Sequence, residues 1–191
     1  DASLLNDFNN PDASWWTNDT PYYTMSIQSL IAYNSANALK IVYDKLNNPC
    51  ANIRLGDLSK DYNCSDFSKD TIFTMRIYNK VTLRMKFSDV SNNESLDITP
   101  DISTTSDSVW NKVEVNYKTV NWQNADSKNI NTILIFVAPG ETGTTGTFYV
   151  DSIYLGYDSS DTGTTIITDT LTPVLGSVLF DREFVAGVYD S

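Results

Sequence analysis

Apolar and polar side chains alternate along most of this chain in short runs, and a period of two puts successive side chains on opposite faces of a strand. In Thr71–Tyr78, Phe73, Met75 and Ile77 form an apolar face, with Thr74, Arg76 and Tyr78 opposite. In Val81–Ser88, Val81, Leu83, Met85 and Phe87 oppose Thr82, Arg84 and Lys86. The intervening Asn79-Lys80 reads as a hairpin turn. In Lys112–Lys118, Val113, Val115 and Tyr117 alternate with Glu114, Asn116 and Lys118. Thr147–Gly156 alternates too: Phe148, Val150 and Ser152 point one way, Tyr149, Asp151 and Ile153 the other. Leu4–Phe8, Tyr23–Gln28, Ala38–Tyr43 and Asn52–Leu55 add strands, with Arg54 facing away from Ile53 and Leu55, and Ile130–Val137 is an almost continuous apolar one. About nine or ten short strands and no amphipathic helix predict an all-β fold, a sandwich or barrel.

Between the strands, Asn9–Ser14 is a turn by composition, Asn34–Asn37 a loop, and Ser91–Asp107 a long polar connection. Val120–Asp126 is a loop that carries Trp122. From Tyr157 the character changes. Residues 158–165 have the Ser/Thr/Asp/Gly composition of a linker, and 166–191 regain apolar residues such as Val178-Leu179-Phe180. We therefore divide the chain into a β-sandwich at 1–157 and a segment at 158–191, either a tail packed on the sandwich or the start of a further domain.

Composition removes several functions. The net charge of −11 argues against a nucleic-acid backbone as partner. Histidine is absent, which removes the usual general base, the histidine-activated nucleophiles and the commonest zinc ligand. Two-carboxylate catalysis stays open, yet no strand carries clustered acids, and there is no phosphate loop or nucleophile elbow. No apolar run approaches a membrane span, and a leader peptide is expected to be absent or removed. Cys50 and Cys64 suit either a disulfide closing a short loop or two separate thiols.

Two carboxylates stand out. Asp7 and Asp151 each interrupt a terminal apolar strand, where a charge is costly without a partner. A hard cation held by oxygens would serve both, and so would two separate hydrogen-bonded sites.

The opening Leu4-Leu5-Asn6-Asp7-Phe8, the tryptophans after it and the closing Phe148-Tyr149-Val150-Asp151-Ser152-Ile153-Tyr154-Leu155 resemble a carbohydrate-binding module of the galactose-binding-like jelly-roll group. Family 11 and its relatives, appended to secreted glycoside hydrolases, are the nearest, and the resemblance runs from Ser3 to Gly156. It implies a jelly roll of two antiparallel sheets and a structural calcium at Asp7 and Asp151, with backbone carbonyls near Asn34 assisting. It also implies that Trp110 starts a strand and packs on the core, and that the ligand is a β-glucan chain lying in a groove lined by tyrosines, an arginine and aspartates. The groove aromatics do not align cleanly here, and Trp122 stands where another aromatic is expected.

Sugar recognition needs aromatic faces for the axial C–H surface and polar side chains for the hydroxyls. The outward positions supply Arg54, Arg76, Tyr78, Arg84, Lys86, Glu114 and Asn116; the aromatic candidates are Trp16 or Trp15, Tyr22, Trp122 and Phe136, with Gln123 beside Trp122. Trp122 suits a ligand site and an end cap of the sandwich equally. The expectation is a monomeric, non-catalytic module of a secreted or cell-surface polysaccharide-degrading enzyme, joined to other domains. The competing readings are a structural or adhesive sandwich domain and a two-carboxylate glycosidase.

Overall fold

The computed structural model describes residues 3–9, 16–18, 21–45, 48, 50–56, 67, 72–102, 106–139, 141, 143–155 and 166–167. The strands are β1 (Ser3–Asn6), β2 (Trp16–Asn18), β3 (Tyr23–Gln28), β4 (Ile31–Ala32), β5 (Ala38–Asp44), β6 (Asn52–Leu55) and β7 (Ile72–Tyr78). They continue with β8 (Leu83–Asp89), β9 (Asp101–Ile102), β10 (Trp110–Asn116), β11 (Ile130–Val137), β12 (Thr145–Leu155) and β13 (Ile166–Ile167). The large sheet runs β3-β5-β12-β7-β10-β9, with β1 also paired to β12; the small sheet runs β2-β6-β11-β8. Every pairing is antiparallel. The chain is thus an all-β sandwich of two antiparallel sheets.

The alternation of the sequence makes the core. The large sheet turns inward Leu39, Ile41, Phe73, Met75, Ile77, Val113, Phe148 and Val150; the small sheet answers with Ile53, Leu55, Leu83, Met85, Phe87, Ile133 and Ile135. Burying each such side chain is worth about 1.5–3 kcal/mol, which fixes the strand register, because a slip by one residue would turn the set to solvent.

Four expectations change. First, β7 and β8 are not a hairpin: β7 lies in the large sheet and β8 in the small one. Asn79, at φ 78°, turns the chain from one layer to the other and is anchored on both sides, its Nδ2 donating to the Thr147 carbonyl at 3.1 Å and its Oδ1 accepting from Ser108 N at 3.0 Å. Second, β12 does not alternate throughout. Its register against β7 shifts between Asp151 and Tyr154, where Ser152 sits at φ 50°. This bulge turns Ile153 and Leu155 into the core beside Phe148 and Val150, leaving Tyr149, Asp151 and Tyr154 on the other face. Third, β1 ends at Asn6, whose Oδ1 accepts from Phe8 N at 2.7 Å, so Asp7 lies in the turn that follows rather than within a strand. Fourth, β10 ends at Asn116, which caps a 3-10 turn at Tyr117–Thr119.

The sequence pattern also passed over β2, β4 and β9. Ile166 and Ile167 pair with β4; Trp15, Cys64, 156–165 and 168–191 lie outside the described residues.

Candidate functional site

The outer face of the large sheet is built from rows of side chains running across its strands. In one row Ser26, Lys40, Tyr149, Tyr78 and Trp110 are successive cross-strand partners. Four strand spacings of about 4.8 Å make this row roughly 19 Å long. The next row contains Asp151, Arg76 and Lys112, and the one after it Leu4, Tyr154, Thr74, Glu114 and Asp101. Trp110 meets Tyr78 edge-on at 5.5 Å, and Tyr78 meets Tyr149 at 5.9 Å. Trp110 and Tyr149 are half-buried, while Tyr78 is buried between them.

Polar groups flank the rings. Arg76 is half-buried in the adjoining row, and Lys112 Nζ pairs with Glu114 Oε2 at 2.8 Å. Burial pushes the Tyr149 phenol above its usual range, with Tyr78 adding to the push, so it stays a hydroxyl donor at neutral pH. The Trp110 indole N–H is buried with no acceptor among the described residues, an arrangement that costs about 1–3 kcal/mol unless something accepts from it. This face therefore offers both halves of sugar recognition, apolar ring surface and directed donors.

A loop from the end of β4 closes on this face. Asp151, fully buried, holds it: Oδ2 accepts from Tyr33 N and from Ser35 Oγ, each at 2.7 Å. Its Oδ1 accepts from Ser152 N at 2.6 Å and from Ser152 Oγ at 3.3 Å. Burial, helped by the charge of Asp7, pushes the Asp151 carboxyl up to about 7 against the pull of the Ser35 and Ser152 hydrogen bonds. The Tyr33 ring comes to rest 5.6 Å from Trp110 and beneath the Arg76 guanidinium, 4.7 Å from its centroid.

The predicted ligand residues do not share one surface. Arg76 and Tyr78 stand on the large-sheet face, as do Glu114 and Asn116. Arg54, Arg84, Lys86 and Phe136 stand on the opposite side of the molecule, the outer face of the small sheet, because β6, β8 and β11 turn Ile53, Leu55, Met85, Phe87, Ile135 and Val137 inward. There Arg84 pairs with Asp97 at 2.9 Å and Lys86 with Glu94 at 3.0 Å. Trp16 and Tyr22 pack against the core, Trp16 tilted on Phe8 at 6.4 Å. Half-buried Trp122 stacks on Phe87 at 5.8 Å among Phe67 and Tyr117, a packing an end cap would have; Gln123 is exposed in the turn beside it, at φ 52°.

Trp110 reverses its expected place: the partners of Val113 and Val115 fill the core, and Trp110 falls on the outer side with Lys112 and Glu114. The alternation of β10 could have placed it there. Tyr149 was legible by the same rule, since it lies outward in β12. Nothing local marks Tyr33, which reaches the face from a loop.

Of the expected metal ligands, Asp7 is engaged by Asn9, its Oδ1 accepting from Asn9 N at 3.0 Å and Oδ2 from Asn9 Nδ2 at 2.9 Å. Asn34 is exposed, between the two residues that bond Asp151. The group is all oxygen: the Asp151 carboxylate, close enough to Asp7 to feel its charge, the Asp7 carboxylate, the Ser35 hydroxyl and the Asn37 carbonyl, 2.6 Å from that hydroxyl. That donor chemistry fits a hard cation, although among the described residues no cluster of three acidic, cysteine or histidine side chains exists. Cys50 is an exposed thiol.

No protein-family model matches the chain, and no curated protein does. Solved structures share its fold. A family 11 carbohydrate-binding module from a cellulosomal cellulase of Clostridium thermocellum superposes with a TM-score of 0.57 at 16% identity, covering 83% of this chain and 98% of that one. A family 11 module from the same organism, in complex with a β-1,3-1,4-mixed-linked tetrasaccharide, gives 0.56 at 16% identity, over 81% and 94%. A family 28 module specific for non-crystalline cellulose gives 0.52 at 13% identity, over 82% and 96%.

Proposed function

We propose that this domain is a non-catalytic carbohydrate-binding module that holds a β-glycan chain across the outer face of its large sheet. The observation that carries the reading is the cross-strand row Tyr149–Tyr78–Trp110, with half-buried Tyr149 and Trp110 on either side of buried Tyr78, flanked by Lys40, Arg76 and the Lys112–Glu114 pair. Rings supply stacking surface for the pyranose, and the Tyr149 phenol and the flanking charges supply hydrogen bonds to its hydroxyls. The structures of the same fold are modules named for mixed-linkage glucan and cellulose, which supports the β-glycan class. Within a larger secreted or cell-surface polysaccharide-degrading enzyme, such a module raises the local concentration of substrate.

A structural calcium belongs to the same proposal. Asp7 and Asp151 would hold it, helped by oxygens of the Asn34–Asn37 loop. Bound there, the cation neutralises buried negative charge and ties β12 to the loop that closes on the face.

Native affinity electrophoresis against mixed-linkage β-glucan, xyloglucan, xylan, glucomannan and galactan tests the reading. Retardation by a β-glycan is the expected result, and its loss in EDTA would make the metal necessary for binding. Migration unchanged by every polymer would sink the proposal in favour of a structural or adhesive domain.

A further inference from the structure

We propose that Tyr33 is a positioning residue for the glycan face: anchored through its backbone to Asp151, it holds the Arg76 guanidinium in the orientation that meets the ligand. The inference rests on the reading of that face as a glycan site and adds to it how one of the polar groups is set.

Tyr33 is 1% exposed, so its ring cannot be a stacking platform for a sugar. What the ring does meet is two half-buried members of the face, Arg76 across its plane at 4.7 Å and Trp110 edge-on at 5.6 Å. Its own position is not left to the loop. The Tyr33 N–H donates to Asp151 Oδ2, and the Ser35 hydroxyl donates to the same oxygen, so the loop between β4 and β5 is fastened to β12 at both sides of Asn34. Asp151 is in turn the register partner of Arg76. Backbone anchor, ring and guanidinium thus form one connected unit that starts at a buried carboxylate and ends at the surface.

The physical consequence is preorganisation. A free arginine side chain has many rotamers, and a ligand that fixes it must overcome that entropy. Held over a buried ring, 4.7 Å from its centroid, the guanidinium is confined before any ligand arrives. An aromatic ring is needed for this and a hydroxyl is not. An aliphatic side chain of similar reach fills the space without giving the cation a face to lie on.

The test is a double-mutant cycle, read as the Kd for the β-1,3-1,4-mixed-linked tetrasaccharide by calorimetry, at a temperature where circular dichroism shows every variant folded. Tyr33→Phe keeps the ring and is expected to bind within about twofold of the unmodified protein. Tyr33→Leu is expected to weaken binding by about tenfold, the effect of one desolvated cation–π contact. In an Arg76→Ala background the same change should cost at most about threefold, since there is no guanidinium left to orient. If the Leu variant does not fold, Tyr33→Met carries the same cycle.

Losses that simply multiply in the double variant would overturn the positioning role and make Tyr33 a packing residue. So would a Tyr33→Leu protein that binds as well as the original. Either result, with binding still abolished by Trp110→Ala, leaves the glycan reading standing and removes this inference alone. Failure of the unmodified protein to bind the tetrasaccharide or any polymer of the panel removes both.

Discussion

The two outer faces of the sandwich arise from the same alternation and end in opposite states. On the small sheet, outward Arg84 and Lys86 are taken up by Asp97 and Glu94 from the segment that follows β8. That segment is itself laced to β8, Ser95 N donating to Phe87 O at 2.9 Å and Ile98 N to Met85 O at 2.9 Å. Asp89 at the end of β8 gathers it further, accepting from Ser91 N, Asn93 N, Asn93 Nδ2 and Asp126 N at 2.9–3.1 Å. Phe136 and the arginines of this face were reasonable candidates by residue type, but Arg84 and Lys86 are engaged within the chain. On the large sheet the outward residues are rings meeting edge to face, with a buried indole N–H that has no acceptor among the described residues. Ion pairs form on both faces, Lys112 with Glu114 on the large sheet, so what sets that face apart is the half-buried ring surface of Tyr149 and Trp110.

Perturbing one face at a time sharpens the contrast. The largest effect should come from Gly56→Ala, just after β6 of the small sheet. Gly56 is at φ 122°, and an added Cβ would run into the Asn131 backbone carbonyl, which cannot move aside. A loss of about 3 kcal/mol or more is expected, seen as a lower midpoint in denaturant, while the folded fraction binds glycan with unchanged affinity. Affinity that fell in step with stability would mean the two faces are not independent.

Asp89→Asn comes next. Burial pushes the Asp89 carboxyl up, but its hydrogen bonds outweigh this and hold it below the usual carboxylate range. A folded-state pKa below the unfolded one gives stability that is present above about pH 4 and lost as pH falls through the folded value. The amide would turn N–H groups toward N–H donors, so about 2–3 kcal/mol should be lost at neutral pH. The acid limb of a melting-temperature profile should flatten in the variant; a limb of unchanged slope would assign the acid sensitivity elsewhere.

Calcium should act on the large-sheet side only. At a hundredfold excess over Kd it should add about 2.7 kcal/mol of stability, measured as a melting shift reversed by EDTA and absent in Asp151→Asn. A shift that survives that substitution would move the cation away from Asp151. The smallest effect is expected for Arg84→Ala. Its partnership with Asp97 is about half exposed at 44% and 48%, and such pairs contribute about 0–1 kcal/mol. A loss well beyond that range would make the ion-paired face structurally more important than its exposure indicates.

The strands and their inward sides were legible because alternation is a local signal that burial enforces. Which sheet a strand joins is not local. Thr74, Arg76 and Tyr78 on β7 and Arg84 and Lys86 on β8 read as neighbours across a hairpin, yet they face opposite directions once Asn79 carries the chain between layers. The bulge at Ser152 was hidden for a related reason: a serine with positive φ is set by its surroundings, and here Asp151 holds its N–H and hydroxyl. Trp122 could not be resolved between cap and site without knowing that Phe67, Phe87 and Tyr117 gather at that end. Tyr33 reaches Asp151 across 118 positions of sequence, and no local pattern encodes that meeting.

The central claim is that the large-sheet face binds glycan and the small-sheet face does not. Isothermal titration of mixed-linkage β-glucan into Trp110→Ala and Phe136→Ala, beside the unmodified protein, tests it most directly. The account predicts that Trp110→Ala loses about a hundredfold or more in affinity, as removal of a central aromatic anchor does, while Phe136→Ala stays within about twofold of the original. Binding abolished by Phe136→Ala and untouched by Trp110→Ala would place the site on the other side of the molecule and contradict the account.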